Sequence, residues 1–170
     1  FNAQRDRIHL EHKRDAFARC HALVFPSEFA RDRTEAVYGI SGRQVSVIPH
    51  ALDSRFRVRP AAERVEGFRN DASEGRPYLL HVGSRYAHKN VDRLLEAFAA
   101  WEGRGDFRLL LAGGGALAPS ESELVDRLGI ADSVRVRKSL DDDALLLAYH
   151  GATAFVFPSL SEGFGFPVLE

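Results

Sequence analysis

Two glutamates frame a glycine-bearing turn at the end of the sequence. Glu162 and Glu170 have seven residues between them, and Gly163 and Gly165 lie within that interval. Carboxylates accept hydrogen bonds from sugar and ribose hydroxyls, and glycines let a backbone approach a ligand closely. Pro167 suits the first turn of a helix, whose unpaired amides favour an anion such as a diphosphate. The alternative is a surface turn whose glycines only permit a tight bend and whose glutamates are solvated.

A basic loop follows an apolar run that ends at Val82. It passes from Gly83 and Ser84 through Arg85 to Lys89, immediately before a helical pattern. A strand, a glycine turn and a helix start together form an anion site. Lys89 would add a point charge there, and Arg85 a planar group with several donors. The alternative is a charged loop that is merely solvated.

The elements that would position these residues alternate along the chain. Short runs that are apolar on both faces predict buried strands, and helical patterns lie between them. Strands are predicted at residues 22–25, 45–48, 78–82, 108–112, 134–136 and 154–157, and helices at residues 5–19, 28–38, 91–101, 120–128 and 141–149. Ser27 and Asn90 are expected to act as N-caps. The alternation predicts an α/β fold with parallel sheets.

The alternation fails in residues 54–76, which are rich in arginine, glutamate, alanine and glycine. This composition predicts a linker, with room for a short helix, between an α/β unit in residues 1–53 and another in residues 77–170. The sequence contains no methionine and stops inside an apolar run. We therefore expect it to be a fragment of a longer protein.

Composition argues against several classes of function. A net charge of −1 gives no overall positive field for a nucleic-acid backbone. The single cysteine, Cys20, excludes an intrachain disulfide and a cysteine-based metal cluster. His9, His12 and His21 have no recognisable metal-ligand spacing and are interpreted as structural. The aspartates at 141–143 are favourable at a helix start, and a metal site is the alternative for them.

The final motif resembles the E-x7-E motif of glycosyltransferase family 4, in its E-G-F-G-x-P-x-x-E form. Members of that family are retaining enzymes of GT-B type, an α/β architecture of two Rossmann-like domains with parallel sheets, only partly present here. The resemblance implies that Glu162 lies by the transferred sugar and that Glu170 holds the nucleotide ribose. It also implies that backbone amides meet sugar hydroxyls and phosphate at Gly163, Phe164, Gly165 and Phe166.

The basic loop resembles the first loop of the family's donor domain. Lys89 and Asn90 match its Lys-Asn pair, and residues 94–98 match its Leu-Leu-x-Ala-Phe segment. Ser84 stands where many members carry the first phosphate-binding arginine, and Arg85 comes one place later. The resemblance implies catalytic roles for Glu162, Lys89 and Arg85. It implies donor contacts for Gly83, Ser84 and Lys89, and a backbone contact to the base for Ser139 or Leu140.

By the same resemblance, residues 1–53 end the acceptor-side domain, 54–76 form the linker and 77–170 form an incomplete donor-binding domain. The expected activity is retaining transfer of a hexose, with mannose among the candidates, from a nucleoside-diphosphate sugar to an acceptor hydroxyl in surface polysaccharide or glycolipid synthesis. The acceptor would be a carbohydrate or a lipid-linked saccharide, and neither a cofactor nor nucleic acid is expected.

The sequence has no apolar run of the roughly 20 residues that span a bilayer, so a cytoplasmic location is expected, with peripheral attachment to the inner membrane face open through other regions. An inactive nucleotide-sugar-binding module or scaffold is the alternative function. A phosphorylase of the same architecture is a third possibility, but the residues show no context for anchoring pyridoxal phosphate.

Overall fold

A computed structural model describes residues 3–40 and 42–170 of the chain, with side chains from Leu10 onward. The structural role expected of His9 therefore lies outside the described side chains. The chain divides into two compact units. The first contains the residues up to Ala51 together with Glu162–Gly165, and the second contains Leu52–Ser161 together with Phe166–Glu170.

The first unit is built on a pair of parallel strands. Strand β1 (Ala22–Phe25) pairs with β2 (Gln44–Val47), and helices α1 (Ala3–Arg19) and α2 (Glu28–Tyr38) accompany them. The buried core of this unit consists of Leu23, Phe25 and Ile40. Ser27 caps α2 as predicted, because its Oγ accepts a hydrogen bond from the Ala30 amide at 3.0 Å.

The second unit contains a parallel sheet of four strands in the order β5-β4-β3-β6. The strands are β3 (Tyr78–Val82), β4 (Arg108–Ala112), β5 (Val134–Arg137) and β6 (Ala154–Phe155). Every residue of β4 is buried, as expected of a central strand covered on both faces. The predicted parallel α/β architecture is therefore confirmed.

Helices cover the two faces of this sheet. They are α3 (Ala62–Ser73), α4 (Val91–Ala100), α5 (Pro119–Arg127) and α6 (Asp142–Gly151). Leu109 and Leu111 pack in one cluster with residues of α4 and α5. Leu110 points to the opposite face and packs with Ala72 of α3 and Ala148 of α6. The three consecutive leucines thus serve two cores, since successive side chains of a strand alternate between faces.

Residues 54–76, predicted as a linker with room for a short helix, contain such a helix and belong to the second unit. A 3₁₀ turn at Ser54–Arg57 is followed by α3, which packs against α6. Val65, Phe68 and Ala72 form a helical stripe that is partly or fully buried. The sequence shows this stripe only weakly, because it consists of three apolar positions at spacings of three and four among charged residues.

Candidate functional site

Glycines follow β3 and β4 at the carboxyl edge of the sheet. The Gly83 amide donates a hydrogen bond to Ala112 O at 2.8 Å, and the Gly113 amide donates one to Arg137 O at 2.8 Å. A Cβ on Gly113 would lie 3.1 Å from Gly83 O, and both glycines have positive φ, +134° and +93°. These positions need glycine, since a side chain would disturb the close approach of the two turns.

A cavity of about 230 Å³ opens between these turns. Its lining includes Gly83 and Ser84 after β3, Gly113 and Gly114 after β4, and Leu140 before α6. Cavities at the carboxyl ends of parallel strands are the usual ligand sites of open α/β sheets. Leu140 thus lies at the same cavity as the glycine turns, and its contact with a nucleotide base stays a prediction.

Lys89 lies at the edge of the Gly83 turn. It ends a 3₁₀ turn at Ala87–Lys89, and a Cβ on Gly83 would lie 4.0 Å from its Nζ. The ammonium group also lies 5.8 Å from the centre of the Phe157 ring, within the range of a cation–π contact. The structure therefore brings together Lys89, Gly83 and Ser84, as the sequence predicted.

Asn90 holds this corner in a way that differs from the predicted N-cap. It has left-handed backbone angles and makes no side-chain cap to α4. Its Nδ2 donates instead to Pro158 O at 3.1 Å. The amide side chain thus connects the 3₁₀ turn at Ala87–Lys89 to the segment after β6. The backbone angles of Asn90 fit its residue type, because Asn tolerates the left-handed region better than most residues.

Arg85 has a different environment from the one expected of a phosphate ligand. Its side chain is only 4% exposed, and Nε pairs with Glu121 Oε1 at 2.9 Å. The two terminal nitrogens donate to backbone carbonyls of the glycine loop, namely Gly113, Gly114, Gly115 and Ala116. The guanidinium is thus directed into the loop, and the phosphate contact expected of Arg85 stays a prediction. Arg85 fixes the glycine loop that lines the cavity, and its N–H groups donate to the carbonyls of that loop.

Glu121 completes this arrangement from the first turn of α5. Its Oε2 accepts a hydrogen bond from the Ala118 amide at 2.7 Å, while Oε1 binds Arg85. One carboxylate therefore satisfies an amide at the helix start and the buried guanidinium. A second cavity, of about 350 Å³, lies beside this pair and is also lined by Ser84 and Tyr86. Sequence reasoning missed Glu121, since it is 36 residues from its partner.

The turn at Glu162–Gly165 packs within the first unit. Ser27 Oγ donates a hydrogen bond to Gly163 O at 2.5 Å, and the Phe164 ring meets the His50 ring edge-on at 5.2 Å. Gly165 has a φ of +86°, which favours glycine. His50 therefore packs against the motif. The contact between Ser27 and this turn could not be predicted from sequence spacing, because the two residues are 136 positions apart.

Glu170 belongs to the second unit. A 3₁₀ turn at Phe166–Val168 precedes it, where the sequence predicted the first turn of a helix at Pro167. Its Oε2 accepts a hydrogen bond from Tyr149 Oη at 2.7 Å. The two glutamates of the motif thus belong to different units.

Comparison with known proteins identifies the family. The sequence profile described as Glycosyl transferases group 1 matches residues 64–170, more than half of the chain. The chain belongs to this family. The resemblance inferred from the two motifs is therefore confirmed.

Curated relatives of the chain include proteins named as glycosyltransferases. The O-antigen chain mannosyltransferase RfbU of Salmonella typhimurium is 24% identical over 89% of this chain and 39% of its own length. A D-inositol 3-phosphate glycosyltransferase of Nocardiopsis dassonvillei is 34% identical over 78% of this chain and 33% of its own. The chain therefore spans well under half the length of these relatives.

Solved structures share the fold of this chain. HepE of Anabaena in complex with UDP and glucose aligns with a TM-score of 0.78 and 16% identity, over 94% of this chain and 44% of its own. Sucrose-phosphate synthase of Thermosynechococcus elongatus aligns with a TM-score of 0.75 and 22% identity, over 97% of this chain and 41% of its own. The predicted GT-B fold class, partly present in this chain, is confirmed.

The acidic triplet at residues 141–143 lies at the start of α6. Asp141 Oδ1 accepts from the Ala144 amide at 2.8 Å and caps α6, while Asp142 pairs with Arg55 and Asp143 with Arg64. Within residues 3–40 and 42–170, no cluster of three or more His, Cys, Asp or Glu is placed to hold a metal ion. The helices of this described part include none with the length and apolar character needed to cross a bilayer.

Proposed function

We propose that the chain is the donor-binding part of a retaining glycosyltransferase that moves a hexose from a nucleoside-diphosphate sugar to an acceptor hydroxyl. The observation that carries the proposal is the position of Lys89 Nζ beside Gly83, whose turn lines the cavity at the carboxyl ends of β3 and β4. A cation beside a glycine turn at the carboxyl end of parallel strands suits a diphosphate. Membership of the glycosyl transferase family supports the same reaction class.

The leaving diphosphate gains negative charge as the bond to the sugar breaks. Lys89 would stabilise that charge as a preorganised donor. Glu162 would accept hydrogen bonds from the transferred sugar, and Glu170 from the ribose. Arg85 would act through the glycine loop, whose shape it fixes.

The proposed donor is a nucleoside-diphosphate hexose, with GDP-mannose as the first candidate. Support comes from RfbU and WbdA, curated relatives that are named mannosyltransferases. Since RfbU is named for the O-antigen chain, we also propose a carbohydrate or lipid-linked saccharide acceptor, reached from the cytoplasmic face of a membrane. The proposed site uses side-chain and backbone donors for the diphosphate. Transfer is therefore expected to continue at an unchanged rate when divalent ions are removed with a chelator.

Titration calorimetry of the full-length protein with GDP-mannose, UDP-glucose and dTDP-glucose tests the proposal. Lys89→Ala should weaken binding of the preferred donor about 10-fold to 100-fold, the effect of losing a charged hydrogen-bond partner. Arg93→Ala is the matched control, because Arg93 is a cation on α4 with its side chain 75% exposed. Equal losses in both variants, or no binding to any donor, would contradict the proposed site.

Mass spectrometry of the products then tests transfer itself. Donor binding that is lost in Lys89→Ala, with no sugar transferred to saccharide acceptors, would support the inactive binding module instead. Transfer with retained anomeric configuration, read by NMR of the product, is the expected result.

A further inference from the structure

A half-buried tyrosine on α6 contacts the last glutamate of the motif. Tyr149 Oη donates a hydrogen bond to Glu170 Oε2 at 2.7 Å. Neither the proposed reaction nor the motif itself assigns Tyr149 a part. Its hydroxyl is nevertheless hydrogen-bonded to the carboxylate that, in the proposed function, binds the ribose.

The Tyr149 ring is fixed on two sides by aromatic rings. Phe155 of β6 lies 5.5 Å away at 66° to the ring plane, and Phe56 of the 3₁₀ turn lies 6.3 Å away at 77°. Edge-to-face packing of this kind stabilises one ring orientation. Phe155 is in turn held in the sheet, where β6 pairs with β3. The position of the Tyr149 hydroxyl is therefore fixed by the packing of its ring.

The hydroxyl is a permanent donor. Burial, and then the hydrogen bond with Glu170, raise the pKa of Tyr149 well above its ordinary value of 10.0. A protonated phenol can give its single O–H only to an acceptor. The bond engages Oε2 alone, and an ionised carboxylate offers about four acceptor positions over its two oxygens. Glu170 is thereby oriented while acceptor positions remain for a ligand.

We propose that Tyr149 is a positioning residue that orients the Glu170 carboxylate toward the two neighbouring hydroxyls of the nucleotide ribose. This inference rests on the proposed function, since it assumes that a nucleoside diphosphate binds here. It makes Tyr149 a determinant of sugar-ring selectivity: ribonucleotides benefit from the oriented carboxylate, and nucleotides without the 2′ and 3′ hydroxyls do not. A purely structural tyrosine would affect both classes of nucleotide equally.

The experiment compares ligands with and without these hydroxyls on the full-length protein. Calorimetry measures the affinities of UDP, GDP and their 2′,3′-dideoxy analogues for the wild type, Tyr149→Phe and Glu170→Ala. Phenylalanine keeps the ring between Phe155 and Phe56, so the variant is expected to fold. Tyr149→Phe should weaken the preferred ribonucleotide about threefold to tenfold, the worth of one hydrogen bond, and change the dideoxy analogue less than about twofold.

Two further comparisons make the result decisive. In the Glu170→Ala background, adding Tyr149→Phe should cause no additional loss, because the two groups act as a unit. Tyr38→Phe is the matched control, since Tyr38 is a partly buried tyrosine that packs edge-on against Phe17. It should leave all affinities unchanged.

The inference is overturned if Tyr149→Phe weakens ribo- and dideoxynucleotide equally, or weakens neither, while the wild type binds. Binding of the wild type to neither UDP nor GDP would overturn the proposed function and the inference with it. Thermal melting of each variant shows whether an equal loss arises from unfolding.

Discussion

Arg85 and Glu121 form a buried ion pair, with 2.9 Å between Nε and Oε1 and side chains that are 4% and 11% exposed. The pair joins the loop after β3 to the start of α5, and the guanidinium also binds the carbonyls that follow β4. Three segments around the candidate site are thus held by one charged group. Such an arrangement is sensitive to the loss of either partner, because the other is left buried and uncompensated.

Arg85→Ala is expected to lower the free energy of unfolding by about 3–5 kcal/mol, the usual cost of breaking a buried pair from one side. Urea denaturation measures this change. The control is Arg93→Ala, which removes an exposed pair with Glu96 and should cost less than about 1 kcal/mol. A stable Arg85→Ala protein that still loses nucleotide-sugar affinity would instead support the direct phosphate role predicted from the sequence.

A substitution at Gly114 tests whether the hydrogen bonds between Arg85 and the glycine loop are rigid. A Cβ at this position would lie 2.8 Å from Arg85 Nη1, and φ is +73°. Gly114→Ala should therefore lower stability in two ways: the backbone strain of a left-handed alanine costs about 1–2 kcal/mol, and the new methyl group displaces the Arg85 guanidinium. Gly115→Ala is a matched control, because its φ is +78° and nothing lies within 4 Å of its Cβ. Equal urea midpoints for the two variants would argue against such rigidity.

Acid stability should depend on Glu74, at the end of α3. Hydrogen bonds from Arg108 and then Arg135 lower its pKa from 4.5 to about 2. A lowered pKa in the folded state means that the carboxylate stabilises the fold fully above pH 4.5, and that this contribution is lost as the pH falls toward 2. The stability difference between wild type and Glu74→Gln should be largest at neutral pH and shrink across this window. A difference that is constant with pH would contradict this assignment.

The sequence predicted the parts of the fold that depend on local pattern. The apolar runs of β3 and β4 and the glycines after them were correctly placed, because a buried parallel strand and its turn leave a signal within a few residues. Lys89 was placed beside Gly83 for the same reason. Strand β6 is an exception, since it ends at Phe155 where the apolar run extends to Phe157.

The contacts that escaped prediction join residues far apart in sequence. Arg85 was assigned to phosphate because a loop arginine gives no indication of a buried partner on another helix. Asn90 donates its amide across the unit to Pro158, and Tyr149 reaches the end of the motif. Pairings of this kind follow from tertiary packing, which neither propensity nor periodicity encodes.

Ser27 is expected to support two structures with one hydroxyl. Its Oγ accepts from the Ala30 amide at the start of α2 and donates to Gly163 O in the glycine turn. Ser27→Ala should lower stability by about 1–2 kcal/mol, and Ser27→Thr should retain most of it. Ser27→Asp separates the two roles, because aspartate caps a helix well but, when ionised, has no proton to donate.

Hydrogen exchange followed by mass spectrometry can measure the amide protection of both α2 and the turn at Glu162–Gly165. In Ser27→Asp, the amides of α2 should keep their protection while those of the turn at Glu162–Gly165 exchange faster. In Ser27→Ala, both segments should exchange faster, since cap and donor are lost together. Unchanged exchange of the turn in both variants would show that the bond to Gly163 O does not hold it, and that the turn is fixed by other contacts such as the His50 and Phe164 rings.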